Sequence, residues 1–235
     1  MRSHRPQRRV QPAGQTLAPR WHTAALITLM LAVAATGLAL GRDGVPRAAR
    51  SSGVLVGVYV PLLVVEWTLA FYVCRIGRPK SALLPLLGRG WDTLRRAATD
   101  VALAAAGWVV VEATEAAFVR FAASPNAAVF ALLPHTLTER LVWLLLATSV
   151  GFCEEVVYRG YLQTQLTAFT GHVSIAIGLQ AALFGLAHGE QGLAVSVRFA
   201  LYGIGFGVLA QWRRSLIAGI LCHIAIDLGS GFLHR

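Results

Sequence analysis

The sequence predicts an all-α protein: a polytopic transmembrane helical bundle of about seven spans, within a range of six to eight, with its N-terminus in the cytoplasm. Hydrophobic residues make up 56% of the 235 residues and charged residues only 14%, too few for the surface of a soluble domain of this length. Several apolar runs are also long enough to cross about 30 Å of hydrocarbon. The basic residues, finally, are distributed unevenly between the connecting segments.

The predicted spans follow from these runs in chain order. They lie near 22–41, 53–74, 101–119, 141–162, 193–211 and 215–233, with a shorter run at 173–188. The first run is too long for a signal peptide and ends without a small-residue cleavage site, so we expect a retained anchor. With the N-terminus inside, the inner segments carry 13 basic residues and the outer segments 6. This difference satisfies the positive-inside rule.

The chain divides into three predicted parts. Residues 1–20 are basic and rich in Pro and Gln, which is typical of a disordered cytoplasmic tail. Residues 21–100 hold two N-terminal spans and a basic cytoplasmic loop. Residues 101–235 form the predicted catalytic core of helices, because they contain the paired ionisable residues within apolar runs.

Charge and cysteine content exclude some classes of function. The net charge of +10 comes mostly from Arg residues that flank apolar runs, which predicts contact with anionic lipid headgroups and no binding of nucleic acid. The three cysteines, Cys74, Cys153 and Cys222, lie inside apolar runs without CxxC spacing. They are interpreted as small core residues, not as disulfide partners.

Adjacent carboxylates are the most informative feature of the chain. Glu154 and Glu155 lie within the apolar run 141–162, where each acidic side chain costs several kcal/mol. Arg159 follows Glu155 by four residues, so we expect these two to face each other on one helix and to neutralise each other. Glu154 points about 100° away from Glu155. This separation predicts that Glu154 is the carboxylate available to accept a proton.

Two further apolar segments carry ionisable side chains. His188 closes the short run 173–188, and His223 lies four residues before Asp227 on one predicted helix face. A carboxylate beside a histidine can fix the tautomer of the imidazole ring. A lone buried histidine is commonly structural, but ionisable groups on three separate helices predict one shared, water-accessible cavity.

Three other intramembrane acids have weaker claims to a function. Glu112 and Glu115 either line the same cavity or pair with Arg120 near the end of their helix. Glu66 is interpreted as structural.

A carboxylate, two imidazoles and a second carboxylate in a dry bundle suit hydrolysis. The carboxylate takes a proton from water, and the other polar groups stabilise the resulting oxyanion. The sequence contains no HExxH zinc motif, and neither the Gly-x-Ser-Gly of rhomboid-type enzymes nor the Gly-x-Gly-Asp of presenilin-type enzymes.

The segment EEVVYRG at 154–160 resembles the EExxxR motif of the CAAX prenyl protease and bacteriocin-processing superfamily (CPBP, also called Abi). In the order of that family, FGLAH at 184–188 resembles its FxxxH motif and HIAID at 223–227 its HxxxN/D motif. Asp227 stands where the prenyl-protease branch typically has Asn. The resemblance covers about residues 141–230 and implies an α-helical intramembrane endopeptidase.

The resemblance also implies roles for six side chains. They form a water-activating pair, an oxyanion-stabilising pair and a supporting pair: Glu154 and His188, His223 and Asp227, and Glu155 and Arg159. A glutamate mechanism without metal is favoured, while zinc held by Glu154, His188 and His223 stays an alternative, because two histidines and a carboxylate with one open position form a common catalytic zinc site.

The expected partners are membrane lipid and a membrane-associated or exported peptide or protein substrate. The Ala- and Arg-rich composition suggests the bacterial cytoplasmic membrane as the location. A non-catalytic scaffold or immunity factor is one alternative, although no motif position has become apolar. A proton-coupled transporter is the other, although no inverted repeat is evident.

Overall fold

The computed structural model describes residues 16–40, 44–76, 83–121 and 132–233. These residues form helices and contain no named strand; Gly88 and Ser215 make an isolated bridge. The α-helices are α1 (Arg20–Leu40), α2 (Gly44–Val54), α3 (Val60–Ile76), α4 (Leu83–Leu87), α5 (Leu94–Phe121), α6 (Leu137–Glu154), α7 (Gln163–Thr170), α8 (Val173–Leu186), α9 (Leu193–Arg213) and α10 (Ile217–Phe232). Two π-helical segments, Leu55–Tyr59 and Glu155–Leu162, and the 3₁₀ turn Gly189–Gln191 connect some of them.

The all-α membrane architecture is confirmed at the level of the helices. Five stretches of the described chain are long and apolar enough to cross a membrane: Arg20–Ala39, Ser52–Arg75, Leu94–Phe118, Leu137–Thr170 and Leu193–Arg213. Two of the seven predicted spans are shorter apolar helices, Val173–Leu186 and Ile217–Phe232. The number of spans and the side of the N-terminus stay predictions.

One helix is much longer than its predicted span. The stretch Leu137–Thr170 is continuous over 34 residues, or about 51 Å at 1.5 Å per residue, and ends at the left-handed Gly171. The predicted span 141–162 therefore ended too early, because residues 163–170 continue the same helix. The helix continues because its polar side chains are bonded within the protein: the buried Gln165 donates from Nε2 to Ala18 O at 2.9 Å and to Thr23 Oγ1 at 2.8 Å.

The same contacts hold the start of the described chain. Leu17 and Ala18, the last part of the predicted tail, are buried, whereas residues 1–15 of that tail lie outside the described residues. The predicted boundary between residues 100 and 101 falls inside α5. The basic loop and the helical core are therefore joined by one continuous helix.

Close packing of α10 against α6 positions the candidate site. A Cβ atom on Gly151 would lie 2.8 Å from Ile224 N, so the two helices approach at a distance that only glycine permits. Nearer one end of this contact, Trp143 Nε1 donates to Asp227 O at 3.0 Å. The approach brings the stretch of α6 that ends at Glu154 beside the turn of α10 that carries His223.

Candidate active site

The imidazole ring of His223 lies between the two adjacent glutamates. Its Nδ1–H donates to Glu155 Oε1 at 3.2 Å, and its Nε2 lies 3.4 Å from Glu154 Oε2. The ring is 7% exposed as a side chain and stacks on Phe206 with centroids 5.3 Å apart. Two carboxylates that follow each other in the sequence are thus reached by different nitrogens of one ring.

The two carboxylates have different surroundings. Glu155 is 0% exposed and its Oε1 also accepts from Arg159 Nη1 at 2.9 Å; the Arg159 side chain is likewise 0% exposed. Glu154 retains 13% exposure. Glu155 is thus enclosed by a cation and a histidine, whereas the Glu154 carboxylate is open to a water molecule.

A π-helical turn sets the directions of these side chains. Residues Glu155–Leu162 are π-helical, and Gln163 N–H bonds to Tyr158 O, five residues earlier. Such wider turns are rare and frequently occur at functional sites. The Arg159 guanidinium carbon lies 4.4 Å from the centroid of Phe184 and 5.2 Å from that of Phe206. Aromatic faces therefore contact the part of the guanidinium that Glu155 does not reach.

A glycine on α10 leaves the space that the buried Glu155 needs. A Cβ atom on Gly219, one turn before His223, would lie 2.9 Å from Glu155 Oε2. That oxygen is buried and makes no hydrogen bond within the described protein.

Asp227 approaches the same ring from one turn further along α10. Its Oδ2 lies 3.9 Å from His223 Nε2, which is an electrostatic contact and too long for a hydrogen bond. The side chain is 25% exposed, and the buried Oδ2 atom has no hydrogen-bond partner among the described residues. The nitrogen nearest to Asp227 is therefore also the one that faces Glu154.

His188 lies near His223, but its ring contacts Phe184 and Phe199 and not the two glutamates. Its Nδ1–H donates to Phe184 O at 3.0 Å, which leaves Nε2 as the free ring atom. Its face lies flat on Phe199, with centroids 3.8 Å apart and an interplanar angle of 9°. The Phe184 ring contacts the edges of both His188 and His223, at 5.1 and 6.1 Å between centroids.

Glu66 and Phe199 are additional neighbours of the site. Glu66 on α3 interacts electrostatically with Glu154, His223 and Asp227, although it was interpreted as structural. A signal was present in the sequence: Glu66 is an intramembrane acid with no basic residue one turn away on its own helix. Phe199 carries no such signal, because an apolar residue on an apolar helix is expected anywhere in the bundle.

Glu115 lies in a different polar group. Its Oε2 is 2.8 Å from Arg198 Nη1, and its Oε1 accepts from Tyr202 OH at 3.1 Å. Both partners are on α9, so Glu115 connects α5 to α9. Glu112 lies close to α10: a Cβ atom on Gly229 would be 3.2 Å from its Oε1.

The geometry also bears on the zinc alternative. The described residues include no group of three His, Cys, Asp or Glu side chains arranged to hold one metal ion. In the proposed set of Glu154, His188 and His223, the Nδ1 of each histidine is already bonded, to Phe184 O and to Glu155 Oε1. Histidines that ligate a metal through Nε2 commonly bond their Nδ1–H in the same way, so the choice between zinc and a metal-free mechanism stays a prediction.

The segment that carries the three motifs is similar to a known protein family. Residues 136–229 match the family model described as type II CAAX prenyl endopeptidase Rce1-like. No curated protein and no solved structure matches the chain. The match covers less than half of the sequence but includes all three motifs and the helices that carry them, from α6 into α10. Over residues 136–229, the chain is therefore similar to the superfamily of CAAX prenyl proteases and bacteriocin-processing enzymes.

Proposed function

We propose that this protein is an intramembrane endopeptidase that hydrolyses a peptide bond of a membrane-associated or exported protein, with Glu154 as the general base. One observation carries the proposal: His223 lies between a fully buried glutamate, neutralised by Arg159, and a partly exposed one. The base and a hydrogen-bond donor are thereby adjacent, close enough to act on one carbonyl group.

The proposed reaction uses these groups in order. Glu154 takes a proton from water while the water oxygen forms a bond to the carbonyl carbon, and the electrons of the carbonyl double bond move to its oxygen. His223 in its imidazolium form donates from Nε2 to that oxyanion, because its Nδ1–H is already committed to Glu155. The carbon–nitrogen bond then breaks, and the proton on Glu154 passes to the leaving amine.

The other residues of the cluster support these steps. Asp227 places a negative charge 3.9 Å from His223 Nε2 and so stabilises a positively charged ring during the reaction. His188 has Nε2 free and can accept a hydrogen bond that orients the attacking water. The Glu155–Arg159 pair holds the Nδ1 side of His223, which fixes the plane of its ring.

Comparison of protein termini in membranes tests the proposal. Membranes that contain the wild-type protein are expected to yield new protein termini that are absent with Glu154→Gln, and cleavage in heavy-oxygen water should place one labelled oxygen in the new carboxyl terminus. Identical termini in both samples, together with pH-driven solute uptake into proteoliposomes, would show a transporter instead. Identical termini without uptake would favour the non-catalytic scaffold.

A further inference from the structure

We infer that one end of the bundle carries a built binding surface for the headgroups of anionic phospholipids. This surface, here called the basic platform, comprises Arg89, Trp91, Arg95, Trp212 and Arg214. It combines the chain just before and at the start of α5 with the turn that follows α9. The two segments are more than a hundred residues apart in the sequence.

Backbone hydrogen bonds join the two segments of the platform. Arg89 N–H donates to Arg214 O at 2.8 Å, and Leu216 N–H donates to Leu87 O at 3.0 Å. Gly88 lies between them with a φ of 75°, and a Cβ atom there would be 2.5 Å from Arg214 O. Only glycine fits this position, so the relative placement of the two segments is fixed by the backbone itself.

Both oxygens of the buried Asp100 carboxylate, beneath the platform, accept hydrogen bonds. Asp100 is 0% exposed; its Oδ1 accepts from Arg213 Nε at 2.7 Å and its Oδ2 from Trp91 Nε1 at 2.9 Å. Arg96 adds a hydrogen bond from Nη2 to Arg213 O at 2.7 Å. This network orients Trp91 and leaves Asp100 no free oxygen with which to neutralise the cations above it.

The exposed part of the platform has an excess of positive charge. Arg89 is paired with Asp92 at 3.3 Å, but both side chains are more than half exposed, so the pair is weak. Arg95 and Arg214 are exposed, and neither guanidinium has a carboxylate partner among the described residues. These two arginines are free to bind an anion from outside the protein.

Location and aromatic content identify the anion as a lipid headgroup. The platform lies at the termini of two apolar helices, beside the first residue of α5, Leu94, and the last residue of α9, Arg213. Trp91 and Trp212 are 50% and 65% exposed, and exposed tryptophans concentrate at the level of the headgroups. An arginine near an anionic membrane surface contributes about 1 kcal/mol. Phosphate-bearing lipid therefore matches both the charge and the depth of this surface.

Leucines directly beside the platform in the sequence contact the helix that carries the candidate site. A Cβ atom on Gly160, the residue after Arg159, would lie 3.2 Å from Leu216 Cδ1 and 3.4 Å from Leu86 Cβ. Leu86 and Leu216 are buried in the main core. Lipid bound to the platform is therefore expected to raise the thermal stability of the whole bundle.

Competition between two lipids tests this inference in the full-length protein. The protein is delipidated, given equal amounts of phosphatidylglycerol and phosphatidylcholine, and analysed by native mass spectrometry and thermal unfolding. For Arg95→Gln/Arg214→Gln, the relative affinity for phosphatidylglycerol should fall about 30-fold, which corresponds to about 2 kcal/mol. Each single substitution should lower it about fivefold, which provides a measurement if the double variant does not fold.

A matched control changes the same charge elsewhere. Arg47→Gln/Arg50→Gln removes two exposed arginines of α2 and should leave the lipid preference and the lipid-dependent stabilisation as in the wild type. Inorganic phosphate alone should not raise the unfolding temperature. Equal losses in the two double variants, a wild-type preference in the platform variants, or stabilisation by free phosphate would each overturn the inference.

Discussion

The different environments of Glu154 and Glu155 lead to a prediction about two isosteric substitutions at adjacent positions. Glu154→Gln removes the proposed base, and Glu155→Gln removes the buried charge beside Arg159. Both changes conserve volume, so packing is nearly the same in each. Glu154→Gln should lower turnover strongly with little loss of stability, whereas Glu155→Gln should lower the free energy of unfolding.

The magnitudes follow from the contacts. General-base catalysis contributes at least ~10²-fold, so Glu154→Gln should raise the activation barrier by at least about 2.7 kcal/mol. Its stability should change less, because the side chain retains 13% exposure and Gln keeps a polar atom beside His223 Nε2, which lies 3.4 Å from Glu154 Oε2 in the wild type. Glu155→Gln leaves the fully buried Arg159 without a counter-charge, and breaking a buried pair in this way costs about 3–5 kcal/mol.

The assay measures single-turnover cleavage and thermal unfolding on the same detergent-purified samples, with folded yield as a further readout. Cleavage by Glu154→Gln at a rate near that of the wild type would refute its assignment as the base. Equal loss of stability in both variants would refute the distinction between a catalytic and a structural carboxylate.

Two other predictions concern His188 and metal. Phe199→Leu removes the ring that lies 3.8 Å from the His188 ring, and the resulting misplacement should lower kcat by about 10–100-fold; Phe199→Tyr keeps the ring and should restore the rate. An unchanged kcat and pH profile in Phe199→Leu would rule out this positioning role. Protein washed with a strong chelator should keep its activity, measured alongside elemental analysis. Loss of activity that returns with one zinc ion per chain would contradict this prediction.

Contacts between site residues on the same helix could be predicted from the sequence. Glu155 and Arg159 are four residues apart, and one helix brings such residues together whatever surrounds it; the ion pair at 2.9 Å is of this kind. The three motifs were recognisable because each is a short pattern within one apolar segment. The match of residues 136–229 to the Rce1-like family model agrees with that resemblance.

Contacts between different helices could not be predicted in this way. The angle of 100° between adjacent residues assumes a regular α-helix, but Glu155–Leu162 is π-helical. The extension of α6 through residues 163–170 could not be predicted, because a glutamine such as Gln165 is typical of a polar loop. Its hydrogen bonds to Ala18 and Thr23, which stabilise it inside the protein, come from a distant part of the chain.

The sequence by itself determined the apolar helices, the basic residues that flank them and the ionisable groups within apolar segments, because hydropathy and helical spacing are local properties. Only the tertiary structure decided that both glutamates meet one ring, that of His223, that Glu66 lies near them, and that Arg89 lies beside Arg214. The physical reason is that side-chain direction and helix approach depend on close packing, which glycines such as Gly151 permit only against a particular neighbour.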